Sequence, residues 1–305
     1  MSVTEAFTLH AVNISQESTI LSGFTDSRFE AGIKTEGFAT DGSIDPTFLA
    51  TFEENPGLTG TTMSLAAALG ALGISGLAIT SSPTVFYWAQ LDNLGDIAAG
   101  SVHLAMTMTT GLHFLQRISA RQGAPAELTF GTTPIWDGTN APVIFAGSQA
   151  LPEISPLSAV WTVGPVRING TLFTGVQSID FDLGLEFSVL RGDGESRPRF
   201  GFIRRRKPTI KVTGLNVSVL PVIGCSGVAQ SETDSLIYFR AKDDCGDNVA
   251  DNVASHIGLS IAAGKIMPDS AGARTGEAGT VDLIIEPKYD GSNAIVAVST
   301  GTAIT

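Results

Sequence analysis

Residues 176–212, VQSIDFDLGLEFSVLRGDGESRPRFGFIRRRKPTIKV, open as an alternation of apolar and mostly acidic residues and close in a run of bases. From Ser178 to Leu190, Ile179, Phe181, Leu183, Leu185, Phe187 and Val189 recur at every second position, with Asp180, Asp182, Gly184, Glu186 and Ser188 between them. A period of two sends alternate side chains to opposite faces of an extended chain, so the pattern predicts one long strand with an apolar face and an acidic face. Arg191-Gly192-Asp193-Gly194 supplies turn residues, which also accounts for the adhesion-like Arg-Gly-Asp triplet. Phe200 to Val212 then reads as the returning strand of a hairpin. Along it Arg204 and Arg206 fall on one side, Arg205 and Lys207 on the other. Pairing would set some arginines across from acids and add modest stability. Four consecutive bases nevertheless exceed what three acids can neutralise, so part of the cluster needs another partner or open solvent.

The same style of segment fills the chain beyond Ser82. Short runs rich in β-branched and aromatic residues, separated by Gly, Pro, Asn and Asp, predict strands at Val85 to Gln90, Ser101 to Thr109, Leu112 to Arg121, Ala126 to Phe130, Val143 to Ala146 and Ser158 to Val163. Further strands are expected at Arg167 to Phe173, bending at Asn169-Gly170, and at Leu215 to Pro221, Leu236 to Lys242, His256 to Ile266, Val281 to Pro287 and Ala294 to Val298. Residues 288–293, KYDGSN, predict a hairpin joining the last two. Many strands with few helical patterns argue for a mainly β chain, a sandwich or barrel. Pro125 to Pro165 holds six of the fourteen prolines and reads as a loop-rich insertion within one domain spanning 1–305.

Before Ser82 the sequence is different in kind. Thirty-seven residues between Glu54 and Asp92 carry no charge. Ala, Gly, Ser and Thr dominate them, with acids on both flanks and no nearby Lys or Arg, which argues against a membrane span. Leu65, Leu69 and Leu72 share a helical face and Thr61, Thr62 and Ser64 can cap it, so a short buried helix from Ser64 to Leu72 is expected, followed by an apolar strand. The N-terminal MSVTEAFTLHAVN lacks a basic region followed by an apolar core, so no signal peptide is expected.

Charge is polarised along the chain. The net charge is −12, yet residues 1–150 hold 13 acids against 4 bases, while residues 191–211 hold 8 bases against Asp193 and Glu195. Charged residues are only 16% of the chain, which suits a surface largely covered by partners. A nucleic-acid groove is disfavoured by the acidic balance and by the lack of interleaved aromatics. A subunit basic on one side and acidic on another suits head-to-tail contact between copies.

No GxSxG, GxxxxGK[ST] or HExxH occurs, so neither an enzyme nor a cofactor is expected. His10, His103, His113 and His256 have no metal-ligand spacing, and His103 and His113 are expected on neighbouring strands as ordinary hydrogen-bonded residues. Asp243-Asp244-Cys245-Gly246-Asp247-Asn248, with Asp251, is rich in oxygen but lacks the ligand order of an EF-hand, so a solvated acidic loop is expected. Cys225 and Cys245 are too few for a disulfide scaffold, and the sequence leaves their pairing open.

Three passages resemble the major tail proteins that build the tail tube of long-tailed bacteriophages. They are VQSIDFDLGLEFSVLRGDGESRPRFGFIRRRKPTIKVTG, FEENPGLTGTTMSLAAALGALGISG and TVDLIIEPKYDGSNAIVAVSTGTAI, which are similar to that family's long strand pair, its short helix and its closing hairpin. The resemblance implies a tail-tube β-sandwich or barrel with a short flanking α-helix, assembled as stacked hexameric rings in the virion tail. The expected partners are further copies, tape measure and terminator proteins, and DNA as a passenger in an acid-lined lumen. Asp180, Asp182 and Glu186 are then the candidates for the lumen face, and Arg204, Arg205, Arg206 and Lys207 for contacts between subunits or rings. Any extra length within residues 82–165 is expected as an insertion or outward decoration. Other readings are a capsid decoration or baseplate protein, or a carbohydrate-binding β domain, though Trp88, Trp136 and Trp161 are scattered.

Overall fold

A computed structural model describes residues 6–39, 44–80, 82–92, 94–100, 102–157, 159–214, 217–230, 235–273 and 279–305. Ser101, Ser158 and Leu215, the expected first residues of three strands, lie outside them. The strands of the N-terminal part are β1 (Ala6–Ile14), β2 (Thr19–Leu21), β3 (Phe24–Glu30), β4 (Ile33–Phe38), β5 (Phe48–Glu54), β6 (Gly57–Thr62) and β7 (Leu77–Ile79), with helix α1 (Leu65–Leu72) before β7. The middle of the chain forms β8 (Thr84–Leu91), β9 (His103–Met108), β10 (Gly111–Arg121), β11 (Glu127–Pro134), β12 (Ile144–Gln149), β13 (Val160–Ile168), β14 (Thr171–Phe173), β15 (Val176–Asp182) and β16 (Leu185–Leu190). Then come β17 (Phe200–Arg206), β18 (Thr209–Gly214), helix α2 (Leu220–Ile223), β19 (Val228–Gln230), β20 (Ser235–Lys242), β21 (His256–Ile261), β22 (Gly264–Gly272), β23 (Thr280–Pro287) and β24 (Val296–Thr302).

All the strand pairs are antiparallel, and they build a mainly β structure of several sheets. A ten-stranded sheet has the order β19-β22-β23-β18-β15-β10-β11-β6-β3, with β7 attached to β10. Two five-stranded sheets run β12-β9-β8-β1-β2 and β14-β13-β20-β21-β24. Two ribbons, β16-β17 and β4-β5, stand apart as isolated pairs. One continuous apolar core joins the larger sheets, drawing Ile14 and Met106 from the first five-stranded sheet, Phe130 and Phe181 from the ten-stranded sheet, and Ile237 and Leu259 from the third.

The expected helix forms where its leucines predict it, burying Leu65, Leu69 and Leu72. The Ser64 side chain does not cap it. Thr62, wholly buried, donates its hydroxyl to the Ser22 carbonyl at 2.6 Å and accepts the Ser64 amide at 3.0 Å, tying the helix entrance to the core. No helix among the described residues is long and apolar enough to cross a membrane.

The predicted long strand is two strands. β15 ends at Asp182, Leu183 is buried, and the chain turns at Gly184, whose φ of +54° suits glycine alone without strain. The apolar alternation continues across this break without a change of phase, but β15 belongs to the ten-stranded sheet and β16 to a ribbon. The return strand breaks in the same way at Lys207-Pro208, where the proline has no amide to give to a ladder. His256 to Ile266 is likewise two strands, β21 and β22, in different sheets.

Two further expectations are corrected. β23 and β24 do not form a hairpin: β23 lies between β18 and β22, whereas β24 pairs with β21. Asp290 still makes a local turn by accepting the amides of Ser292 and Asn293, and that turn carries the chain from one sheet to another. The described part of the expected strand at Leu215 to Pro221 is helical, because Leu220–Ile223 closes a turn with Pro221 in its first positions, where no amide is needed. The stretch expected as a loop-rich insertion supplies β11 to the ten-stranded sheet, β12 to one five-stranded sheet and the start of β13 to the other.

Candidate functional site

The ten-stranded sheet has one buried and one open face, and the sequence alternates accordingly. In β15, Ile179 and Phe181 are buried while Asp180 is half-buried and Asp182 exposed; in β18, Ile210 and Val212 are buried under Thr209, Lys211 and Thr213. Leu128 and Phe130 of β11 alternate with Glu127 and Thr129, and Leu283 and Ile285 of β23 with Asp282 and Glu286. The open face is therefore a wall of hydroxyls and mixed charge. Thr61 and Thr129 share a hydrogen bond of 3.1 Å across it, and Asp282 accepts the hydroxyls of Thr213 at 2.7 Å and Ser270 at 2.5 Å, which hold its carboxyl below the usual range.

Asp180 and Asp182 lie on this face, beside cations that the sequence reading did not join to them. The Arg117 guanidinium makes a forked contact with Asp180, at 2.6 Å from Nε and 2.5 Å from Nη2, which raises the arginine's own pKa. Lys211 stands directly across from Asp180 on β18. Asp182 accepts the Gly184 amide at 2.8 Å and so fixes the turn that ends the strand. Arg117 lies in the expected Leu112 to Arg121 strand, but strict alternation would put it on the side of the buried Leu115; the bulge between them that turns it outward, and its register against β15, were not visible.

Glu186 does not join the two aspartates. It lies on the β16-β17 ribbon opposite Arg205, whose Nη1 is 3.8 Å from its carboxylate, with both side chains more than half exposed. The ribbon leans its apolar side on the sheet, where Phe187 stacks on Phe114 at 5.7 Å between ring centres. Its other side leaves Leu190, Phe200 and Phe202 exposed.

The run of bases departs from simple alternation. A bulge between Ile203 and Arg205 leaves Arg204 without an opposite residue, so Arg205 pairs across from Glu186 and Arg206 across from Leu185. Arg204 and Arg206 therefore do not share a side as strict alternation requires. Arg206 donates to the Ser75 carbonyl at 2.7 Å, fastening the ribbon to the turn after α1. The earlier bases are consumed within the chain: Arg191 by Asn55 and Ser196, Arg197 by Glu54 at 2.8 Å, and Arg199 by Glu195 at 2.5 Å while it covers the Trp136 ring at 4.8 Å. What stays open is Arg204 and Lys207. Among the described residues, neither Arg204 nor Lys207 has a carboxylate at ion-pair distance.

The remaining candidates resolve locally. His103 and His113 lie in different sheets, correcting the expectation of neighbouring strands. His103 accepts the Gln90 amide at 3.1 Å; His113 is wholly buried between Thr84 at 2.9 Å and Thr132 at 2.7 Å, and burial lowers its pKa to about 3. Asp243 spends one carboxylate oxygen on the amides of Cys245 and Asp247, and Asp251 pairs with Arg240 at 2.7 Å. Among the described residues no group of three His, Cys, Asp or Glu side chains could hold a metal ion. Cys225 and Cys245 are separate, exposed thiols.

The sequence reading also missed the β4-β5 ribbon, whose six-residue first strand is exposed along its whole length. No family model matches the chain, and no curated protein matches it.

Proposed function

We propose that this chain is a structural subunit of a phage tail tube, assembling as stacked rings in the virion around a channel through which DNA passes. The observation that carries the reading is the open face of the ten-stranded sheet, where hydroxyls and mixed charge stand together, Lys211 faces Asp180 and the guanidinium of Arg117 is already occupied. A phosphate is captured by a free guanidinium fork, and the fork of Arg117 is filled by Asp180. A wall of this chemistry repels a polyanion weakly and offers it no strong foothold, as a conduit requires. Asp180 and Asp182 are its lumen residues in this reading, with Glu186 at the margin.

Arg204 and Lys207, which have no carboxylate partner among the described residues, lie off that face with Arg205 and Arg206, on the ribbon and the segment just after it, where the four serve contact between copies. Their counterpart is the acid-rich first half of a neighbouring chain. Negative-stain electron microscopy of the purified protein tests the reading: hollow tubes support it, and closed or monomeric particles overturn it in favour of another β-rich virion component. The variant carrying Arg204→Ala, Arg205→Ala and Arg206→Ala is expected to stay folded by circular dichroism and to form no tubes. Tubes of normal length from that variant would remove the contact role.

A further inference from the structure

We propose that the β4-β5 ribbon is an arm that inserts into an apolar hollow of the next copy. The inference rests on the reading that copies associate head to tail, and it names the two surfaces that meet. The arm is a two-stranded ribbon outside the larger sheets, and such a ribbon in water is marginal unless something covers it. Its root is nevertheless firmly held. Glu54 donates its amide to the Ser196 carbonyl at 2.9 Å and its carboxylate accepts Arg197, while the Asn55 amide meets the Gly32 carbonyl at 3.0 Å.

Beyond the root the side chains are those of a core. Phe38 lies opposite Phe48, and its ring centre is 6.5 Å from that of Phe48 and 6.0 Å from that of Phe52, forming an aromatic patch on one side. Phe48 is 61% exposed and Leu49, on the other side, 72%. An apolar patch rimmed by polar residues marks a contact surface, and here the arm's polar residues include Glu36 and Glu53 against Lys34.

The structure holds a hollow of matching chemistry. Ile74, Phe181, Leu183, Pro208, Tyr289 and Ile295 line a space of about 190 Å³, with Arg206 also in its wall. An apolar cavity of about 150 Å³ accepts a benzene ring, so this one takes a phenylalanine side chain. Pro208 also borders the adjoining depression, where Lys207, Lys265 and Lys288 outnumber the single carboxylate of Glu286. An aromatic arm carrying acids therefore meets an apolar hollow bordered by bases, and Phe48, the most exposed ring of its patch, is the side chain that enters. Because arm and hollow are different surfaces of one chain, the contact is heterologous and repeats from copy to copy.

The experiment uses the full chain. Phe48→Ser removes the knob and Ala294→Trp fills the hollow, Ala294 being one of its lining residues. Each variant alone is expected to lose at least tenfold of its sedimentable polymer by light scattering and centrifugation. An equal mixture is expected to give heterodimers and nothing longer, because one variant keeps its arm and the other its hollow. Undiminished polymer from Phe48→Ser, or a mixture that stays monomeric with both variants folded, overturns the proposal. If Ala294→Trp fails to fold, Phe48→Cys and Ala294→Cys are combined in a chain carrying Cys225→Ser and Cys245→Ser. Disulfide ladders that collapse on reduction support the contact; crosslinks within single chains, or none, overturn it. Tubes that form despite Phe48→Ser defeat the arm but leave the tube reading standing. Arm-dependent particles without a channel defeat the tube reading but leave the arm.

Discussion

Gly184 and Lys207 meet where both strands of the charged hairpin leave the ten-stranded sheet: the Lys207 amide donates to the Gly184 carbonyl at 3.2 Å, and a Cβ on Gly184 would lie 2.3 Å from the Lys207 carbonyl oxygen. This contact turns one long hairpin into a sheet segment and a ribbon. It also sets the angle at which Arg204 to Lys207 are presented.

Gly184→Ala is expected to cost about 3 kcal/mol, because it combines a left-handed backbone with a backbone clash. Urea unfolding of the monomer should show a lower midpoint with an unchanged slope. An unaltered midpoint would show that the turn relaxes freely.

His113 gives the fold a defined acid sensitivity. Its pKa of about 3 in the folded chain lies below the ordinary value of 6.5, so between those values the unfolded chain binds the proton more readily. Its contribution to stability is complete above about pH 6.5 and declines as pH falls toward 3, at up to about 1.4 kcal/mol per pH unit. His113→Gln should flatten the pH dependence of the unfolding midpoint between pH 4 and 6 relative to the unaltered chain. Parallel curves would exclude the histidine as the source.

Thr62 holds two partners through one buried hydroxyl. Thr62→Val keeps its shape and leaves the Ser64 amide and Ser22 carbonyl without that partner, at a cost of about 1–3 kcal/mol. Thr62→Ser, which keeps the hydroxyl, should lose less. Thermal unfolding of the three chains gives the order, and equal losses would assign the effect to the methyl group instead.

Two thiols of the native chain should react with a chromogenic disulfide reagent without denaturant, because Cys225 and Cys245 are both exposed. Replacing either by Ser should leave thermal stability unchanged. Failure of both thiols to react, reversed by a reductant, would indicate a bond between them.

Much of the fold is legible where a single principle governs a segment. Leu65, Leu69 and Leu72 announce α1, runs of β-branched and aromatic residues between turn residues find β10, β20 and β23, and Asn169-Gly170, expected as a bend within one strand, is the turn between β13 and β14. Alternation fails where strands change sheets in phase, since Leu183 and Leu185 keep the beat across Gly184 although their surroundings differ. Only the glycine itself and Pro208 signal those breaks. Strands β3, β4 and β5 went unread because they alternate poorly: the ribbon of β4 and β5 has no buried face to impose a pattern. In the candidate site the residue types were visible, and the partners were not. Joining Arg117 to Asp180 requires a register between strands 63 residues apart in sequence, and the bulge at Arg204 leaves no mark on the sequence.

The order of the ten-stranded sheet also bears on how the chain is made. One neighbour of β18 is β15, already made when β18 emerges, but its other neighbour is β23, which begins at Thr280. At roughly 5–20 residues per second, translation leaves the outer edge of β18 bare for several seconds. A bare edge recruits any passing strand. Slower translation between Gly214 and Thr280 is therefore expected to lower the yield of soluble native chain, although it leaves no trace in the finished molecule.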